Sequence, residues 1–161
     1  MLKGYAGKIL RVNLSTKTSS VEALKEREVE LLLGGRGIAA KYYHDEIAPS
    51  VDALSPENKI IFMTGPLTGT ALVSTTKFQL STKSPETRMY LCSNCGGDFG
   101  PQLKKAGFDG IIIEGKAKSS TWLSLKDGVL AFHDATAWKG LASTTTIERM
   151  REAFGESKAG A

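Results

Sequence analysis

The hydrophobic positions in the first third of the chain change from a two-residue period to a helical one. Apolar and polar residues alternate over residues 8–14, which predicts a half-buried strand. A second strand near residues 19–23 would complete an N-terminal hairpin. The period then becomes helical over residues 24–33, and a second helix is predicted over residues 38–46. Between them, Gly34-Gly35 stands where the first helix would place a C-cap.

A continuous apolar stretch, KIIFMTG at residues 59–65, marks the centre of the chain. Without alternation, this stretch predicts a strand that is buried on both faces of a sheet. Two further strands are predicted in KFQLSTKS and TRMYLC, separated by Ser84-Pro85. The central third of the chain is therefore expected to contribute three strands joined by surface loops.

The last third of the chain contains two short helices and more strand-forming sequence. Pro101 is predicted to take the first position of a short helix that stops before Gly107. GIIIEG follows as a buried strand. Asp127-Gly128 then separates two alternating runs, which is a strong signal for a β-hairpin. A final amphipathic helix is predicted to begin at Ser143 and to end at Gly155.

This order of elements is rich in strands and has few long crossovers. It favours an α+β fold with mostly mixed or antiparallel sheets and short helices. The chain has 161 residues, which is enough for one domain with a sizeable core. We therefore expect a single domain over residues 1–161.

Charge and composition narrow the classes of partner. The net charge is +4, but the basic residues are spread along the chain without interleaved aromatic residues. This argues weakly for an anionic ligand and against nucleic acid as a partner. No apolar stretch approaches the ~20 residues of a membrane helix, and the N-terminus lacks the apolar region of a signal peptide. We expect no membrane partner and a cytoplasmic protein, whose cysteines are thiols unless they bind metal or do redox chemistry.

The two cysteines form a C-x-x-C motif, Cys92 and Cys95. A structural zinc or iron–sulfur site needs four ligands, and the only histidines, His44 and His133, are far apart in sequence. A thioredoxin-like motif needs a cysteine at a helix N-terminus, but five residues separate Cys95 from Pro101. Three interpretations remain open: a redox or metal site, two small buried residues, or thiols in a ligand-binding loop.

The glycines after this motif point to a different chemistry. NCGGDFGP places a glycine pair and a further glycine between a strand and a helix, where backbone N–H groups can approach an anion such as phosphate. A tight turn with a helix cap is the alternative. GGRG at residues 34–37 and TGPLTGT at residues 64–70 repeat the theme. No nucleophile with a base and an orienting group can be recognised, so no catalytic residue is nominated.

Six segments occur in order over nearly the whole chain: GYAGKILRVNLST, LLGGRGIAAKYYHDEI, DALSPENKIIFMTGPLTGT, TKSP, NCGGDFGPQLKKAGFDGIIIEGKA and AWKG. Together they resemble the N-terminal domain of the tungsten-containing aldehyde ferredoxin oxidoreductases. The resemblance implies a base of two β-sheets that carries a tungsten, or molybdenum, bis-molybdopterin cofactor. The complete enzyme would oxidise aldehydes to carboxylic acids and pass electrons through a [4Fe–4S] cluster to ferredoxin.

The resemblance also implies roles for particular residues. Asn94, Cys95, Gly96 and Gly97 match the pterin loop of the family, in which the asparagine carbonyl helps to hold a Mg²⁺ ion that bridges two pterin phosphates. Lys77 stands where the family usually has an arginine that reaches the cofactor. A lysine keeps the charge but loses the bidentate fork. Cys95 replaces a small residue such as serine, with its thiol towards the cofactor, and Cys92 is expected to pack at the end of a strand.

The family continues well past the length of this chain. Its second glycine-rich cofactor segment and the C-x-x-C-x-x-x-C cluster ligands would lie beyond residue 161. We therefore expect the chain to be inactive alone and to need the remaining domains or a complementary subunit, with ferredoxin and an aldehyde as partners of the assembly. Exposure of the cofactor face could also lead to a homodimer. A cofactor-free scaffold that keeps the fold is the alternative, which Lys77 and the preceding loop motivate.

Overall fold

A computed structural model describes residues 3–155 and 159–160 of the chain. Its eight strands are Lys8–Asn13 (β1), Thr18–Ala23 (β2), Lys59–Thr64 (β3), Phe78–Lys83 (β4), Tyr90–Cys95 (β5), Gly110–Glu114 (β6), Thr121–Lys126 (β7) and Val129–Asp134 (β8). The first six form one sheet in the order β2-β1-β6-β3-β4-β5, and the last two form a separate hairpin. β1 is parallel to β6, and all other neighbouring strands are antiparallel.

Four α-helices accompany these strands. They are Glu26–Leu32 (α1), Gly35–Glu46 (α2), Phe99–Lys105 (α3) and Ser143–Phe154 (α4), with a 3₁₀ turn at Thr136–Trp138. None of the helices in the described ranges has the length and apolar character that crossing a membrane requires. The two sheets with short helices between them confirm the predicted α+β class.

The six-stranded sheet lies between two layers, because successive side chains of a strand point to opposite faces. On one face, Ile9, Ile61 and Ile112 pack against Val29 of α1 and Ile38 of α2 in a buried cluster. On the other face, the sheet packs against α3 and the β7–β8 hairpin in a second cluster around the residues Leu10, Val12, Leu103, Phe108 and Ile111. The core therefore occupies both faces of the sheet.

A network of charged side chains joins the sheet to the C-terminal end of α2. The Arg11 guanidinium donates to both carboxylate oxygens of Glu46, at 2.7 and 2.5 Å, and its Nε donates to Glu22 at 2.8 Å. Lys59 lies 3.5 Å from Glu46 and also pairs with Glu114. Burial of Glu46 disfavours its charge, but the hydrogen bonds and charges of Arg11 and Lys59 outweigh burial, so the pKa of Glu46 lies below its usual value.

The two predicted hairpins are confirmed. β1 and β2 pair over six residues each, and Asp127 and Gly128 of the second hairpin have φ values of 50° and 81°. Positive φ at both central residues is the requirement of a type I′ turn, which explains the Asp-Gly pair. The last helix begins at Ser143 and is capped by Gly155 in the left-handed conformation, as predicted.

Three local predictions are wrong. α3 begins at Phe99, so Pro101 takes its third position instead of its first. The C-cap of α1 is Leu33, with φ 62°, while Gly34 is the N-cap of α2. The central strand β3 is not fully buried on both faces, because the Ile60 side chain remains 42% exposed.

Candidate functional site

The strand directions bring several loops to one end of the six-stranded sheet. β1, β4 and β6 begin at this end, whereas β3 and β5 end there. Residues 4–7, the β3–β4 connection and the β5–α3 connection therefore lie side by side. We call this end of the sheet the loop end. It contains two of the glycine segments identified in the sequence, and the third lies against it.

Glycines let these loops approach one another closely. A Cβ atom on Gly34 would lie 3.0 Å from the carbonyl oxygen of Thr64 and 3.1 Å from Cα of Gly65, so GGRG packs directly on TGPLTGT. A Cβ on Gly100 would lie 2.9 Å from the carbonyl oxygen of Thr76, which brings the first turn of α3 against the end of the β3–β4 loop. The three glycine segments thus form one continuous surface of backbone.

The predicted site residues meet at one corner of the loop end. Phe78 of β4 pairs with Cys95 of β5, so the residue before β4 lies beside the residue after β5. A Cβ on Gly96 would lie 3.6 Å from Oγ1 of Thr76 in the neighbouring loop. The structure therefore places close together, and exposed to solvent, the five residues predicted from the sequence: Lys77, Asn94, Cys95, Gly96 and Gly97.

The backbone at this corner is open. Gly97 has φ 92°, and no atom lies within 4 Å of the position that its Cβ would occupy. Among the described residues, the N–H groups of Gly96 and Gly97 donate to no acceptor. Two adjacent unpaired N–H groups without side chains above them fit an anionic group such as a phosphate. Asn94 precedes Gly96 by two residues and belongs to β5, which is an edge strand of the sheet.

The two cysteines do not form a joint site. Both belong to β5, with Cys92 half-buried in the middle of the strand and Cys95 exposed at its end. Residues three apart in a strand point to opposite faces and lie about 10 Å apart, whereas a disulfide requires Cα atoms within about 7 Å. The C-x-x-C spacing is therefore unsuited to a disulfide or to shared metal ligands, and Cys92 is not at a strand end as predicted.

The histidines and acids of the described ranges add no metal centre. No group of three or more His, Cys, Asp or Glu side chains there could hold a metal ion. His44 is exposed beside Asp45, and Nε2 of His133 lies 2.7 Å from the Ser124 hydroxyl on the separate hairpin.

Sequence reasoning missed the residue that anchors the loop end. Asp109 is 1% exposed, and its carboxylate accepts hydrogen bonds from the backbone N–H groups of residues 6–8, at 3.0, 2.6 and 3.3 Å. Nζ of Lys104 donates to the same carboxylate at 2.5 Å and to the carbonyl of Gly4 at 2.8 Å. The available signal was the lone acid between Phe108 and Gly110, at the start of an apolar strand.

Tyr5 extends this anchor towards α1. Its hydroxyl donates to the carbonyl of Leu33 at 2.5 Å, and Nζ of Lys104 lies 5.2 Å from its ring centroid. Burial, followed by the negative charge of Asp109, raises the pKa of the Tyr5 phenol. The phenol therefore stays protonated near neutral pH and remains a donor. Residues 4–8 are thus fixed to the α3–β6 region through Asp109 and Lys104, and to the end of α1 through Tyr5.

Comparison with known proteins identifies the family of this fold. The family model described as "Aldehyde ferredoxin oxidoreductase, N-terminal domain" matches residues 9–161. The chain is 44% identical over 153 residues to a tungsten-containing aldehyde ferredoxin oxidoreductase of Pyrococcus horikoshii and 42% identical over 153 residues to that of Pyrococcus abyssi. Each match covers 95% of this chain but 25% of the relative. The chain therefore spans about a quarter of the length of these relatives.

A solved structure has the same architecture. The active-site complex BamBC of benzoyl coenzyme A reductase, in complex with 1,5 dienoyl-CoA, superimposes with a TM-score of 0.95 at 34% sequence identity. The superposition covers 98% of this chain and 24% of that chain. On the family match and these relatives, the chain belongs to the N-terminal domain family of the aldehyde ferredoxin oxidoreductases.

Proposed function

We propose that this chain is the cofactor base of a tungsten or molybdenum pterin oxidoreductase. The observation that carries the proposal is the open corner of the loop end. There, the backbone N–H groups of Gly96 and Gly97, which have no acceptor among the described residues, lie beside the exposed Lys77. The tungsten-containing relatives support the identity of the cofactor.

The residues at this corner suit different parts of a bis-molybdopterin. The N–H groups of Gly96 and Gly97 would donate to a pterin phosphate, and the Lys77 ammonium would add positive charge nearby. The backbone carbonyl of Asn94 would offer an oxygen ligand to a Mg²⁺ ion that accompanies the cofactor, because oxygen is the ligand that Mg²⁺ prefers. Cys95 would turn its thiol towards the cofactor. When bound, the tungsten or molybdenum centre would supply the two-electron redox chemistry, which no side chain at the corner provides.

The complete enzyme would oxidise aldehydes to carboxylic acids. A [4Fe–4S] cluster in the remaining domains, or in a complementary subunit, would pass the electrons to ferredoxin. The chain alone would be inactive, because it contributes a binding surface and no catalytic residue. The likeness to a benzoyl coenzyme A reductase complex indicates that one base fold serves enzymes named for different substrates. In this proposal the base would hold the cofactor, and substrate choice would belong to the rest of the enzyme.

We extend this proposal to the setting of the enzyme. The assembly would act in the cytoplasm, where ferredoxin and reduced thiols are found. It could form a homodimer, because the loop end exposes Leu67, Leu72 and Val73 beside the proposed cofactor corner. Val73 is 92% exposed and adjoins the exposed Leu72, so the two residues form one apolar patch.

A cofactor-free scaffold is the second candidate. It is favoured by Lys77, which lacks the bidentate fork of arginine, and by the exposed apolar loop at residues 71–73. In this case the glycine surface would serve only the close packing of loops. The fold would be retained for interaction with another polypeptide.

One experiment separates the two candidates. The chain is co-expressed with the remaining domains of the enzyme in cells supplied with tungstate or with molybdate, and the purified assembly is analysed for metal and for pterin fluorescence. We expect metal and pterin in the assembly, in a ratio of one metal to two pterins. An assembly that forms stably but contains neither would support the scaffold and overturn the cofactor proposal.

A further inference from the structure

A cavity of about 610 Å³ lies on the face of the sheet away from α1 and α2. Its walls come from β3, β6 and α3 on one side and from the β7–β8 hairpin and α4 on the other. Apolar side chains form most of the lining: Phe62, Ile111, Leu125, Leu130, Met150 and Phe154. This volume lies within the range of about 300–1,000 Å³ that is typical of pockets for small organic ligands.

α4 covers the cavity without closing it. None of its described residues is buried, although Met150 and Phe154 point into the cavity lining. The apolar face of this helix therefore lacks the tight packing that a core helix receives from its neighbours. Space between α4 and the sheet remains available to a ligand.

Positive charge collects at the hairpin-turn end of the cavity. A Cβ on Gly128 would lie 3.9 Å from the carbonyl oxygen of Ala106, so the hairpin turn adjoins the C-terminal end of α3 and therefore Lys105. Nζ of Lys126 lies 5.6 Å from the ring centroid of Phe154, one turn after Arg151 on α4. Lys105, Lys126 and Arg151 thus line this end, and Asp127 is the one carboxylate among the described residues of the lining.

Polar groups within reach of the cavity are few. Apart from the charged residues at the hairpin-turn end, Gln102 and Ser124 are the polar side chains among the described lining residues. A cavity with an apolar body and a cationic mouth is complementary to a molecule with an apolar chain and one anionic head. We propose that the cavity binds a medium-chain aliphatic carboxylate, with its chain among the apolar side chains and its head group near Lys105 and Arg151.

The proposal is tested on the 161-residue chain with dodecanoate below its micelle concentration. A dodecanoate brominated at its terminal carbon should quench Trp122, which lines the cavity, and Trp138, whose ring centroid lies 5.6 Å away. We expect saturation at one ligand per chain. Affinity should rise about fourfold for each methylene group added between octanoate and dodecanoate, because each buried methylene contributes transfer free energy.

Two variants distinguish a built site from general apolar adsorption. Lys105→Gln changes an exposed side chain and should weaken dodecanoate binding about tenfold without affecting the binding of 1-dodecanol. The control variant Lys118→Gln, also at an exposed side chain, should leave the affinity for both ligands unchanged. Ala106→Phe should fill the cavity and abolish quenching, with circular dichroism confirming the fold. Equal affinity for dodecanoate and dodecyltrimethylammonium, or unchanged binding in both cavity variants, would overturn the proposal. Absence of any saturable binding would also overturn it.

Discussion

Replacement of Asp109 should destabilise the fold more than replacement of any exposed acid of the chain. Its carboxylate is 1% exposed and accepts four hydrogen bonds, three from backbone N–H groups and one from Lys104. Asp109→Asn keeps the shape but removes the negative charge and leaves the Lys104 ammonium, 11% exposed, without its counterion. Breaking one partner of a buried pair typically costs about 3–5 kcal/mol. We expect a loss of this size in the free energy of unfolding.

Urea denaturation followed by circular dichroism measures this loss, because the shift in midpoint reports stability when the slope is unchanged. Asp98→Asn is the control, since Asp98 is exposed and makes no side-chain cap hydrogen bond. It should stay within about 0.5 kcal/mol of the parent chain. Adding Lys104→Met to Asp109→Asn should recover at least about 1 kcal/mol relative to the sum of the single changes. A loss below about 1 kcal/mol for Asp109→Asn, or strict additivity in the double variant, would refute the anchor.

Three further outcomes follow from the described contacts. Lys77→Arg should slow the loss of tungsten from the assembled protein during dialysis about tenfold. The reason is that the bidentate guanidinium of arginine adds a charged hydrogen bond to the cofactor. Faster loss of tungsten would contradict a cofactor contact at this position. Because the pKa of Glu46 is lowered from 4.5 in the folded chain, its stabilising contribution is complete above that value and is lost as pH falls through the lower folded pKa. Glu46→Gln should therefore flatten the fall in urea midpoint between pH 6 and pH 3. An unchanged pH dependence would count against this charged network. After mild oxidation, mass spectrometry should not detect the mass loss that formation of a Cys92–Cys95 disulfide would cause. Iodoacetamide should label the exposed Cys95 before the half-buried Cys92.

Local sequence patterns predicted the secondary-structure elements that local interactions determine. The two-residue period of β1 and the Asp127-Gly128 pair each specify a hairpin without help from the rest of the chain. Helix boundaries were less well predicted. α3 starts at Phe99, because close packing of Gly100 on the β3–β4 loop holds two residues before Pro101 in helical geometry. The preference of proline for the first helical turn is a local property and does not predict this tertiary contact.

Long-range pairing lay outside the reach of sequence periodicity. β1 pairs in parallel with β6, with Ile9 opposite Gly110, and no local pattern encodes a partner about a hundred residues away. The same holds for the anchor, because the stabilising role of Asp109 depends on backbone N–H donors near the other end of the chain. The glycine segments did predict the candidate corner, since each needed a loop at a strand or helix end. Their meeting at one end of the sheet follows only from the strand order.

The proposed backbone cradle for the cofactor at residues 94–97 can be tested with a pair of matched glycines. Gly97 and Gly107 both have φ 92° and no atom within 4 Å of a Cβ position. Replacement of either glycine by alanine should therefore lower the free energy of unfolding by a similar amount, about 1–2 kcal/mol. In the tungstate-loaded assembly, we expect Gly97→Ala to lower the tungsten and pterin content about tenfold while Gly107→Ala retains that of the parent. Equal tungsten and pterin content in the two variants would contradict the proposed backbone cradle.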